Sequence, residues 1–161
     1  MSKNNISDES PGRIIKETIS ENYFSKIFEY GFDAIIVTDI ANNITAWNTV
    51  AEKMFGYPAH EILGKPVSEF IIMDDDIRNR LRTTVRATGQ WEGEVEILNK
   101  EGNTFHTIIS ISAIKDNNGN ITELIGIVKN ISENVFLQEN LLETSAKLQL
   151  IAEEKANFIT Q

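Results

Sequence analysis

The chain has 161 residues, 41% of them hydrophobic, and 24 acidic against 15 basic residues, for a formal charge of −9. That length supports one globular domain with flanking segments, and an acidic balance without a basic stripe argues against nucleic acid or anionic membrane as partners. The absence of cysteine removes disulfides, cysteine-ligated zinc and thiol nucleophiles, and fits a reducing compartment.

Residues 1–12 are polar, carry a Ser-Pro-Gly break and read as a disordered leader. They lack the apolar region of a secretory signal, and no run approaches the ~20 apolar residues that span a bilayer, so a cytoplasmic location is expected. Over 13–30, Ile15, Ile19, Tyr23, Ile27 and Tyr30 recur at spacings of three and four. This predicts an N-terminal helix whose apolar face either packs on the domain or pairs with a second copy. Ala34 to Thr38 and Ile44 to Trp47 read as two strands joined at Asn42-Asn43, residues tolerant of positive φ. Asn48 stands at a helix N-cap, Val50, Ala51, Met54 and Phe55 form a buried face, and Gly56 ends that helix. A second short helix opens at Pro58 and closes before Gly64 and Pro66.

Asp74-Asp75-Asp76 precede a longer helix through Ile77, Leu81 and Val85 that stops at Gly89. Three consecutive aspartates point in different directions on a forming helix, so a favourable interaction with its N-terminus is preferred to a metal site. After Gly89 the period becomes two, with Trp91, Gly93, Val95 and Ile97 on one face and Glu92, Glu94 and Glu96 on the other. Phe105 to Ile114 and Ile121 to Lys129 supply two more strands, separated by polar turns at 100–103 and 116–120. From Ile131 the pattern is helical to the end. A heptad with Asn134, Leu141, Leu148 and Lys155 at a, and Leu137, Thr144, Ile151 and Phe158 at d, has a mostly apolar seam that a second copy would cover. The fold class is α+β, an antiparallel sheet with helices gathered to one side.

The succession DAIIVTD, NITAWN, AEKMFGY, HEILGKP, GQWEGE, KEGN and DNNGNITELIGIVKNISE resembles PAS sensor domains from Tyr23 to Glu133. The resemblance implies a five-stranded antiparallel sheet in the order 2-1-5-4-3, short helices on its concave face, and a cavity between them that holds haem, flavin, a small metabolite or nothing. On this reading the chain divides into a leader (1–12), an N-terminal helix (13–30), a PAS domain (31–133) and a coiled signalling helix (134–161). IAEEKANFITQ at 151–161 resembles the lead-in to the phosphoacceptor helix of sensor histidine kinases, although similar helices also lead to diguanylate cyclase and chemoreceptor outputs.

No residues of this chain are assigned a catalytic or metal-binding role. His60 falls on a polar helix position and His106 on the strand face opposite Phe105 and Ile109. Neither lies on the helix after Asp76, where haem-binding relatives carry their ligand, so haem is disfavoured. Cysteinyl-flavin chemistry lacks its cysteine, while non-covalent flavin stays open because Trp91-Glu92-Gly93 resembles a segment of redox-sensing flavin PAS domains. No cofactor is favoured. Trp47 and Asn48 are explained by burial and capping. With the family fold, alternation proposes Phe55, Ile71, Leu81, Trp91, Val95, Ile109 and Ile111 as cavity lining. Asn130, Ser132 and Glu133 are the expected transmission hinge; Asn130 and Ser132 stand where many PAS domains carry the Asp and Thr of an Asp-Ile-Thr triplet, and Ser132 is a candidate N-cap. The expected function is a dimeric cytoplasmic sensory module, paired through its terminal helices and regulating a following output domain. The competing reading is a ligand-free dimerisation or docking module.

Overall fold

A computed structural model describes residues 23–160. The expected leader at 1–12 and the part of the N-terminal helix before Tyr23 lie outside them. In chain order the elements are helix α1 (residues 23–30), strands β1 (Ala34–Asp39) and β2 (Ile44–Trp47), and helices α2 (Thr49–Phe55), α3 (Ala59–Ile62) and α4 (Asp75–Thr88). Strands β3 (Gln90–Leu98), β4 (Thr104–Lys115) and β5 (Ile121–Asn130) follow, and then helix α5 (Ser132–Ile159). One turn of 3-10 helix, Val67–Glu69, lies between α3 and α4.

The three hairpin-type loops share one construction. Asp39, Asn99 and Asp116 each place a side-chain oxygen Oδ1 where it accepts N–H bonds from the residues two and four positions on, at 2.8–3.0 Å. The fourth loop position has positive φ in every case, as Asn42, Gly102 and Gly119. Each loop is thus closed by its own side chain, which fixes the strand register on either side.

All strand pairs are antiparallel in the order β2-β1-β5-β4-β3. Ala34, Ile36, Val128, Ile109, Val95 and Ile97 project from one face and are buried under the helices with Trp47, Ala51, Phe55 and Ile62. The other face is apolar in the middle, where the partners Ile35 and Ile127, and Val37 and Ile125, stay partly exposed, and acidic at the β3 edge.

Caps follow the sequence with small shifts. Asn48 caps α2, Gly56 and Gly89 end α2 and α4 in the left-handed region, and Pro58 stands just outside α3 as its N-cap. Asp74 caps α4, its Oδ1 accepting from Asp76 and Ile77 N–H. Among the described residues no group of three His, Asp or Glu could hold a metal ion. Helix α5 has 28 residues, none of them buried, so at ~1.5 Å per residue it extends well beyond the sheet. No helix among the described residues is long and apolar enough to cross a membrane.

Candidate functional site

Between the sheet and α4 the packing leaves a cavity of about 120 Å³. Its floor is the inner sheet face: Ile36 of β1, Leu124, Gly126 and Val128 of β5, and Ile109 and Ile111 of β4. Val67, Ile71, Met73 and Leu81 wall it, and Asn42, Ser68, Arg78 and Arg82 bring polar groups to it. Ser68 and Arg82 are exposed, so the cavity opens on their side.

Four of the proposed lining residues, Ile71, Leu81, Ile109 and Ile111, border this space. Phe55 and Val95 do not. Phe55 is fully enclosed, its ring 5.1 Å from that of Trp47, and Val95 is buried in the same core. Trp91 also lies elsewhere, because its indole folds over Gly93, where an added Cβ would come within 2.7 Å of the ring. It borders a surface groove between α4 and β3. Alternation puts Trp91 and Val95 on the inner face and helical period buries Phe55, but neither separates packed interior from cavity wall. Ile36, Leu124 and Gly126 share that face without a signal to single them out, and Arg78 and Arg82 lie on α4, where strand alternation says nothing.

The cavity limits its contents. Sites for drug-sized ligands run from about 300 Å³ upward, so the space as it stands is smaller than a flavin or haem site. Neither histidine borders it. His60 is exposed on α3, and His106 lies beside Ile131 and Val135 at the base of α5.

The strands of the cavity floor lead directly to the exit helix. The His106 N–H of β4 donates to Ser132 Oγ at 3.0 Å, and His106 O accepts from Ile131 N–H at 2.8 Å. Ser132 N–H donates to Asn130 Oδ1 at 2.9 Å. The expectation that Ser132 caps α5 is corrected: Ile131 occupies the cap without a side-chain bond, and the Ser132 hydroxyl is engaged across to β4. Glu133 is exposed in the first turn of α5, where its charge suits the helix N-terminus.

A matching tie holds the N-terminal side. Asn48 is fully buried, and its Oδ1 accepts from Ile35 and Ala51 N–H while its Nδ2 donates to Phe28 O and Asp33 O. Thr49 Oγ1 donates to Glu29 Oε2 at 2.7 Å. The amide that caps α2 therefore also anchors α1, a tertiary role with no local signal.

Comparison with known proteins agrees with this geometry. Residues 33–133 match the family model described as a PAS domain. The chain is 26% identical over 140 residues to the methanogenesis regulatory histidine kinase FilI of Methanothrix harundinacea, covering 81% of this chain and 16% of that one. It spans less than a fifth of the length of the curated relatives it matches. A PAS domain from Colwellia psychrerythraea superposes with a TM-score of 0.64 at 28% identity, covering 71% of this chain and 98% of that one. An RNA-binding light-oxygen-voltage receptor superposes at 0.67 with 20% identity, covering 92% and 42%, a likeness of fold alone.

Proposed function

Because the chain belongs to the PAS domain family, we propose that it is the sensory module of a larger cytoplasmic signalling protein, in which cavity occupancy is passed through Asn130–Ser132 into α5. The carrying observation is that floor and hinge are continuous. Ile109 and Ile111 share β4 with His106, and Val128 precedes Asn130 by two residues on β5. A ligand that spreads or tilts these strands shifts the two backbone bonds at His106 and the direction of α5. It acts as a signal to the extent that it binds the two arrangements unequally.

The homodimer reading rests on α5, where Leu137, Leu141, Leu148, Ile151 and Phe158 are each more than half exposed at seam positions. Their burial against a second copy supplies the cover that the body does not. The likeness to a histidine kinase supports a kinase as the output domain, with this chain as its non-catalytic sensory part. The small cavity also favours a second reading, a constitutive dimerisation module whose core takes no ligand.

The chain has no cysteine, so Leu141→Cys and Leu148→Cys give clean reporters. Parallel dimers cross-link at both positions under mild oxidation, and spin labels placed there report a change in separation when a cavity ligand binds. A monomer at about 50 μM would sink the dimeric reading, and a dimer whose labels ignore a bound ligand would favour the constitutive module.

A further inference from the structure

Four arginines, Arg78, Arg80, Arg82 and Arg86, lie on α4, and the only other arginine of this acidic chain is Arg13. Arg78 and Arg82, one turn apart, both border the cavity. Arg78 is paired with Asp75 at 3.5 Å, but the Asp75 side chain is 88% exposed, so this contact is weak and easily exchanged. Among the described residues Arg82 has no carboxylate within ion-pair distance. An aliphatic chamber thus opens beside two arginine side chains.

We propose that the cavity binds a small monocarboxylate, with an apolar body of about four to six carbons against Ile36, Ile109, Ile111 and Val128 and the carboxylate at Arg78 and Arg82. The size follows from the volume: a dry cavity of about 150 Å³ takes a benzene ring, and this one has about 120 Å³. The single charge follows from the lining, because Arg78 and Arg82 are its only charged residues and a second carboxylate on the far side would be buried against aliphatic side chains. A guanidinium is the group best matched to a carboxylate in geometry and charge. The assignment rests on reading this cavity as the sensory site.

The test titrates the whole chain with pentanoate, hexanoate and benzoate and with their uncharged amides, following melting temperature and heats of binding. The acids should raise the melting temperature by roughly 5 °C at ten times their Kd, and the amides should bind at least about tenfold more weakly. Arg82→Gln, at an exposed position that leaves the core intact, should weaken the acids by roughly tenfold and leave the amides unchanged. Gly126→Ala should weaken both, since the new methyl enters the cavity 3.8 Å from Ile36 O and 3.9 Å from Ile111. Equal binding of acids and amides would overturn the charge assignment while leaving a sensory cavity. Failure of every acid to bind at ~10 mM would overturn the assignment outright. Acids that bind as expected without moving labels on α5 would support the ligand and count against the transmission reading.

Discussion

The two ends of the inner sheet face are filled on different principles. Under α2 and α3, Trp47, Phe55, Ile62 and Ile97 are enclosed, the two rings are in contact, and Trp47 Nε1 donates to Tyr57 O at 3.1 Å. Under α4, the equally apolar Ile109 and Ile111 border empty space, and of that helix only Val85 is buried. The difference teaches that one layer can be filled at one end and left with space at the other. The first half is filled by enclosed side chains, and the second leaves room beneath α4.

The sharpest contrast comes from truncation in the packed half. Phe55→Ala should cost about 4 kcal/mol in urea unfolding, because the enclosed ring leaves a void its neighbours cannot fill; a cost near that of a cavity-wall truncation would erase the distinction. Asn48→Ala should cost about 2–3 kcal/mol, since it strands Ile35 N–H, Ala51 N–H, Phe28 O and Asp33 O at once. It should also abolish hydrogen-exchange protection in α1. Leu81→Ala, in the cavity wall, should cost only about 1 kcal/mol, below the usual range for a core leucine, because its side chain already borders a void.

Gly126→Ala should be neutral or stabilising by a few tenths of a kcal/mol, because the site has ordinary space, no positive φ and a strand backbone that alanine prefers. Marked destabilisation would mean that the floor is as tightly packed as the Phe55 end.

Acid should act on the loops outside both halves. Asp39 is held below the usual 3.8 chiefly by the Asn43 N–H, and Asp116 chiefly by that of Asn120. A depressed folded-state value means that their contribution is complete above the unfolded value near 3.8 and is lost as pH falls through the folded one. Stability should therefore drop below about pH 4. Asp39→Asn should flatten part of that drop while keeping the turn, since Asn99 builds the same loop without a titrating group.

Most of the architecture was legible in local chemistry. Turn residues at Asn42, Gly102 and Gly119, caps at Asn48, Gly56 and Gly89, and the change from helical to alternating period at Gly89 each act over a few residues. A sequence records such constraints directly, because the groups that satisfy one another lie within a few positions. Family resemblance then supplied the strand order that local signals cannot.

Depth and reach were decided in three dimensions. Period two placed Phe105, Ile109, Ile111, Val95 and Trp91 on one face, but the seating of α4 determined that Ile109 and Ile111 border the cavity as well as the core while Val95 meets the core alone. Ser132 looked like a cap and became a tie to β4, and Asn48 proved to bind four backbone groups from three segments. Hydrophobicity and hydrogen-bonding capacity belong to single residues and can be read along the chain. Packing density and the identity of a distant partner are properties of pairs brought together by the fold, and only the folded chain assigns them.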